Sequence, residues 1–302
     1  MPTAIVTIPP YAPFIKEVAR HPIVSGLRLN TVMPVKESLE KLLERLQEDA
    51  RGKKFWIDLK GRQLRTTTYA VPPYTEVRIS HNITVQTPVK AYFGDRTNTA
   101  TIAAVDGDRL LFLDGPKRVV GPGESVNIID PSLEITGYLT GTDKEYIAAA
   151  RAAGLHDYML SFVEGQQDID DVRLLDPDAN IVAKIESVKG IGYVKNKYKK
   201  DCSLMAARGD LFLELEWPHH ILEALDTILY ADKNAIAASR IFASLAHSPE
   251  PSCEDITDAA YLLRSGYKTL MLGDEVCLQR DSVISALNLY AEVNATLKKP
   301  SE

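Results

Sequence analysis

Short apolar runs and amphipathic stretches alternate along most of the chain. Residues 4–8, 23–29 and 55–57 are apolar and largely β-branched or aromatic, which predicts strands. Between them, residues 14–20 predict a short helix. Pro34 opens a longer one, with Leu39, Leu42, Leu43 and Leu46 at helical spacing. From about residue 66 to 129 the texture changes. Short alternating runs are cut by turn signals such as Pro72-Pro73, Gly94-Asp95, Asp106-Gly107-Asp108 and Gly121-Pro122-Gly123. No helical period runs through this segment, and residues 105–113 predict a hairpin. After Asp130-Pro131 the alternation resumes. Strands are expected at 158–162, 181–185, 203–207, 235–238 and 269–272, with helices at 142–153, 168–175, 190–198, 218–230, 255–265 and 281–297.

The strands outside the inserted segment number eight, nearly all followed by a helix. The prediction is α/β: a TIM (β/α)8 barrel, residues 1–65 and 130–302, with a small all-β lid domain, residues 66–129, inserted after the third strand. In such a barrel chemistry collects at the C-terminal strand ends. Those ends supply Arg28 and Asn30, Asp58 and Lys60, Ser161, Lys184 and Glu186, Asp210, Ser239 and Glu275. The most pointed pair is Ile181-Val182-Ala183-Lys184-Ile185-Glu186 and Ala206-Ala207-Arg208-Gly209-Asp210-Leu211, apolar runs that stop at charge. Two carboxylates and an ammonium suit a hard divalent cation with an anionic oxygen ligand. Read alone, each segment is equally well a set of capping and loop charges.

Composition narrows the classes. The 302 residues are 45% hydrophobic and 25% charged, ordinary for a globular chain with a large core. A formal charge of −6 gives no basic face for nucleic acid, and the lysines of 195–200 read as a solvated helix end. Cys202, Cys253 and Cys277 have no metal or disulfide spacing. No apolar run reaches the roughly 18 residues of a membrane span, and the N-terminus reads as a strand rather than a signal peptide. These features predict a soluble cytoplasmic protein with no nucleic-acid or membrane partner.

In order along nearly the whole chain, the motifs resemble those of the pyruvate kinase family. Ala4-Ile5-Val6-Thr7-Ile8-Pro9-Pro10 is similar to its opening strand and turn, and Leu27-Arg28-Leu29-Asn30 to its Arg-Leu-Asn segment. The stretch Ile57-Asp58-Leu59-Lys60-Gly61-Arg62-Gln63-Leu64-Arg65 is similar to its Leu-Asp-Thr-Lys-Gly-Pro-Glu-Ile-Arg. Residues 139–143 match its return from the lid, Lys184-Ile185-Glu186 and Ala207-Arg208-Gly209-Asp210-Leu211 its two most specific motifs, and residues 251–258 and 271–272 its last two units. The resemblance implies that Glu186 and Asp210 hold Mg²⁺ (or Mn²⁺). It implies Lys184 and Arg28 on the transferring phosphoryl group, and Gly209, Asp210, Ser161 and Lys60 around phosphoenolpyruvate or pyruvate. Ser239 stands for the threonine linked to enolate protonation. Arg65 and Pro10 are phosphate or nucleotide contacts it implies, and Arg240, an added arginine at the mouth, is a further candidate for such a contact.

The departures cluster on one side. Of the K⁺ donors Asn30 and Asp58 remain, but Val32 and Leu59 replace a serine and a threonine, so an intact K⁺ site is not implied. Gln63 replaces a glutamate and Arg62 a proline. Arg240 and Ala243 replace a glutamine and a glutamate, and Arg240 is placed either as a phosphate partner or as a partner of Asp274. The lid is short, and its Arg96, Arg109, Lys117 and Arg118 read better as solvated turns than as a phosphate clamp. A separate C-terminal regulatory domain is not expected, and association through barrel helices into a homo-oligomer is compatible with the pattern. Three functions fit. The first is a Mg²⁺-dependent phosphotransferase between phosphoenolpyruvate/pyruvate and ADP/ATP. The second is a Mg²⁺-dependent lyase or aldolase working on a 2-oxo acid through a metal-bound enolate. The third is a non-catalytic ligand-binding relative.

Overall fold

The computed structural model describes residues 2–72, 76–94, 97–115 and 117–298. The barrel strands are β1 (Thr3–Thr7), β2 (Val24–Asn30) and β3 (Lys54–Leu59), followed after the insertion by β11 (Asp157–Leu160), β12 (Asn180–Ile185), β13 (Ser203–Ala207), β14 (Ile236–Ala238) and β15 (Thr269–Leu272). They close in the order β1-β15-β14-β13-β12-β11-β3-β2, every pair parallel. The TIM barrel expected from eight apolar runs is therefore the fold.

The two-residue period of a strand explains both cores and the site. Alternate residues such as Ile181, Ala183 and Ile185 of β12 face outward into the large core shared with the helices. The others fill the lumen: Ile5, Trp56, Met159, Val182, Met205, Ile236 and Met271 form one inner cluster. Two or four residues beyond these lumen positions stand Thr7, Asp58, Lys60, Ser161, Lys184 and Glu186. The strand period thus carries the polar residues to the rim of the lumen.

The helices are α1 (Ile15–Arg20), α2 (Leu39–Asp49), α3 (Gly141–Ala152), α4 (Gln166–Leu175), α5 (Val188–Asn196), α6 (Arg208–Glu214), α7 (Ile221–Ala231), α8 (Cys253–Ser265), α9 (Asp274–Cys277) and α10 (Arg280–Lys298). α2 starts after Ser38 rather than at Pro34, burying Leu42, Leu43 and Leu46. α3 is capped by Thr140, not Thr142: its hydroxyl accepts from Asp143 N and the Asp143 carboxylate reaches back, a reciprocal capping box. Two short helices, α6 and α9, were not expected from periodicity. β11 stops at Leu160, short of the predicted end at residue 162, because Phe162 turns to φ +51°.

The insertion carries β4 (Glu76–Arg78), β5 (Ile83–Thr84), β6 (Val89–Phe93), β7 (Thr99–Asp106), β8 (Arg109–Asp114), β9 (Val126–Ile128) and β10 (Glu134–Ile135). Five of them form an antiparallel sheet, β4-β8-β7-β6-β9, with its own core around Phe93, Ile102 and Leu110. The hairpin predicted at residues 105–113 is the β7–β8 pair, turning at Gly107 with φ +61°. β10 pairs with β5, so hydrogen bonding of the inserted segment continues past Ile129 to Ile135.

Candidate active site

Asp58 is the centre of the barrel mouth. It is 0% exposed, and an isolated carboxylate so placed would be protonated or paired. Three cations surround it. Arg28 donates from Nε at 2.9 Å and from Nη2, Lys60 Nζ stands at 3.2 Å, and Lys184 Nζ lies 3.3 Å from Oδ1. Burial works to raise the Asp58 pKa, but Arg28, Lys184 and Lys60 hold it well below the usual carboxylate range. The same burial acts on its partners in the opposite sense. It pushes Lys60 down to about 7, against the pull of Asp58. It opposes charge on Lys184 too, yet Asp58 and Glu186 raise that lysine overall.

Lys184 is 5% exposed and donates to Ser161 Oγ at 2.8 Å while standing 3.3 Å from Glu186 Oε1. Glu186, 2% exposed, accepts from Phe162 N at 2.8 Å. The positive φ of Phe162 turns that amide toward the carboxylate. Burial raises Glu186 to about 6, and Asp210 adds to the rise against Lys184. Two carboxylates that repel each other this way form a site that gains from a cation between them. Asp210 and Gly209 lie in the first turn of α6, where backbone N–H groups have no intrahelical acceptor. Gln63 Nε2 reaches Asp210 at 3.4 Å.

Ser239 stands across from Gly209: a Cβ added to Gly209 would lie 3.3 Å from Ser239 Oγ. Ser239 has φ +73°, followed by Arg240 at +57°. Arg208 fastens this turn, donating to Ser239 O at 2.8 Å while gripping Asp258 with two nitrogens at 2.7 and 2.8 Å. The loop after β3 is fastened by Asp143, which accepts from Lys60 N at 2.8 Å and Gly61 N at 3.2 Å. Gly61 is obligatory there, since an added Cβ would stand 2.6 Å from the Tyr138 ring and its φ is +49°.

Of the residues singled out in the sequence, Arg28, Asn30, Asp58, Lys60, Ser161, Lys184 and Glu186 meet in one cluster, beside Gly209, Asp210 and Ser239. Glu275 does not join it: its side chain is exposed, and its neighbour Asp274 turns in instead. Asp274 accepts from Asn30 Nδ2 at 3.1 Å and from Arg28 Nη1 at 3.3 Å. That contact fills the place proposed for Arg240, which is exposed and stacks over Phe212 at 5.0 Å. Pro10 is buried, its carbonyl taken by Arg45 at 2.9 Å. Arg65 binds Gln63 Oε1 at 2.6 and 3.0 Å and the Gly123 carbonyl, tying the lid to the mouth, and burial lowers its pKa. Val32 lies under that loop, near Gly123. The lid arginines Arg109 and Arg118 pair with Glu76 and Glu124, while Arg96 lies outside the described residues. Asp274, Thr7 and Gln63 were not foreseen as site residues. For Asp274 the signal was a Gly-Asp start to a helix directly after an apolar run.

The residues fit a hard cation at Glu186 and Asp210, which offer oxygen donors only and leave other positions to ligand and water. They do not fit K⁺ at Asn30 and Asp58. The Asn30 amide nitrogen is turned to Asp274, and Asp58 already faces three protein cations.

A family profile described as "Pyruvate kinase, barrel domain" matches residues 90–278. Among curated relatives, the pyruvate kinase of Thermoplasma acidophilum is 26% identical over 92% of this chain and 55% of its own length. That of Borreliella burgdorferi is 24% identical over 83% of this chain and 58% of its own. That of Methanocaldococcus jannaschii is 24% identical over 90% and 64%. The chain thus spans between about half and two thirds of the relatives it matches. No helix among the described residues is long and apolar enough to cross a membrane.

Proposed function

Because the chain belongs to the pyruvate kinase family, we propose that it is a Mg²⁺-dependent phosphotransferase moving a phosphoryl group between phosphoenolpyruvate/pyruvate and ADP/ATP. The observation that carries this reading is Lys184, a buried ammonium held beside Glu186, Asp58 and Ser161 where eight strands converge. Phosphoryl transfer asks for positioning and charge neutralisation more than for covalent help. Lys184 supplies fixed positive charge for the transferring group, with Arg28 and Lys60 behind it. The backbone N–H groups of Gly209 and Asp210 receive the substrate carboxylate. Ser239, packed against Gly209, delivers or takes the proton at the enolate carbon. Glu186 and Asp210 would hold Mg²⁺, or Mn²⁺, which when bound neutralises the enolate oxygen as a Lewis acid.

One observation favours a second reading. Asp274 occupies Arg28, the second phosphate clamp, and a carboxylate there competes with a phosphoryl group. A lyase or aldolase using the same metal-bound enolate of a 2-oxo acid needs no such clamp. The experiment that separates the two is ATP formation from ADP and phosphoenolpyruvate with Mg²⁺, run beside calorimetric binding of oxalate with Mg²⁺. The phosphotransferase reading expects turnover in the wild type and loss by about three orders of magnitude in Lys184→Met. Oxalate binding without turnover on any nucleoside diphosphate would transfer the case to the lyase. Neither binding nor turnover would leave a non-catalytic relative.

A further inference from the structure

A cleft of about 1070 Å³ lies between the base of the inserted sheet and the loops that follow β11 and β12. Of the residues described at the mouth, Phe162 also lines it, while its backbone amide serves Glu186. Its charge is one-sided: six carboxylates (Asp130, Glu134, Glu164, Asp168, Glu214 and Glu216) face two cations, Arg62 and Lys189. Both cations are engaged through their charged ends, although the buried Arg62 Nε keeps a hydrogen with no acceptor among the described residues. Arg62 pairs with Asp168 and with Glu164 at 3.5 Å and lies over the Tyr138 ring, and Lys189 donates to Leu133 O at 2.8 Å. The two helix ends that open here are closed internally. Asp168 accepts from Glu164 N and Gly165 N at the start of α4, and Ser187 Oγ accepts from Gly190 N at the start of α5. Little positive potential is therefore left for an anion.

A second observation points to a donor. Asn127, on β9 at the floor of the lid, is 4% exposed, and its Oδ1 has no hydrogen-bond partner among the described residues. The same side chain bonds to Glu214 at the end of α6. An apolar wall completes the cleft, formed by Leu133, Ile135, Phe162 and Val188, the last 53% exposed. An acceptor without a donor, carboxylates in excess and exposed apolar surface together describe the complement of an amphiphilic ammonium.

We propose that this cleft binds an organic cation, a primary or secondary amine on an apolar body. The ammonium donates to Asn127 Oδ1 and pairs with Glu214 and Glu164, while the body covers Val188 and Leu133. Because Asn127 belongs to the lid and Glu214 to the barrel, the ligand bridges the two. Burial, then Glu164, pushes Glu214 up to about 8, with Asp210 adding to the rise and Asn127 and Lys189 opposing it. At neutral pH the free cleft therefore holds a proton that the amine displaces.

The test is calorimetry on the whole chain at pH 7 with benzylamine, benzyl alcohol and benzoate, repeated in buffers of different ionisation enthalpy. Benzylamine should bind with release of close to one proton, and the alcohol and the acid should bind at least about ten-fold more weakly. Glu214→Gln, nearly isosteric with the protonated acid, and Asn127→Leu should each weaken the amine about ten-fold. Benzoate binding as well as benzylamine would overturn the proposal, as would unchanged affinity in a Glu214→Gln protein that melts like the wild type. Oxalate–Mg²⁺ binding measured on the same variants should be unchanged, which keeps this outcome separate from that of the barrel mouth.

Discussion

Asp58 decides what the mouth can and cannot hold. A carboxylate with no exposed surface must be neutralised, and here Arg28, Lys60 and Lys184 do so from the protein's own strands. A monovalent ion added at the same place would meet three like charges. The proposed phosphotransferase should therefore run equally well with K⁺ replaced by tetramethylammonium, and a rate that collapses without K⁺ would refute this account of Asp58. Gly209 offers a second check. An alanine Cβ there would press on Ser239 Oγ at 3.3 Å, closer than comfortable contact, and Ser239 sits on a positive-φ turn with little freedom to retreat. Gly209→Ala should melt close to the wild type but lose about ten-fold in kcat, since small misplacements at a reacting centre are costly. A kcat equal to wild type would show that Ser239 takes no part in the chemistry.

At the scale of elements, strands and long helices were legible because their periods run through enough residues. Lys184 and Glu186 follow Val182 on one face of β12, and Asp58 and Lys60 follow Trp56 on β3, so the lumen side of the site could be read from alternation. What escaped was short. The seven residues of α6 and the four of α9 cannot establish a 3.6-residue period, yet they set where Asp210 points and bring Asp274 rather than Glu275 to Arg28. The caging of Asp58 was invisible for another reason: it joins β2, β3 and β12 through space. The lid return carries a pH dependence of its own. His81 is buried, with Nδ1 2.9 Å from Ser80 Oγ and Nε2 3.4 Å from Tyr138 O. Burial lowers its pKa from 6.5, against a rise from the Tyr138 carbonyl. As pH falls, the unfolded chain thus takes up a proton before the native one does: stability from this group is complete above pH 6.5 and is lost as pH falls below it. Urea midpoints measured on both sides of about pH 6.5 should show a steeper acid loss in wild type than in His81→Gln, and identical slopes would contradict it.

For the whole molecule, the mouth is arranged as a closed account of charge. Arg28, Lys60, Arg65 and Lys184 stand against Asp58, Glu186, Asp210 and Asp274 within one cluster, in a chain whose formal net charge is −6. Its cations act at contact distance, where desolvation strengthens them, but from outside their fields cancel. With no metal bound, a multiply charged anionic ligand consequently meets no attractive funnel on approach. Its capture rate should change little as salt shortens the Debye length from about 30 to about 10 Å, whereas a field-guided enzyme would slow steeply over that range. Stopped-flow association of a phosphoenolpyruvate analogue with the Mg²⁺-free protein across that range is the measurement, and a steep decline with salt would contradict the cancellation. The caged aspartate of the barrel mouth thereby governs kinetics as well as occupancy: in the metal-free protein encounter is left to diffusion alone, and selection begins only once the ligand is inside.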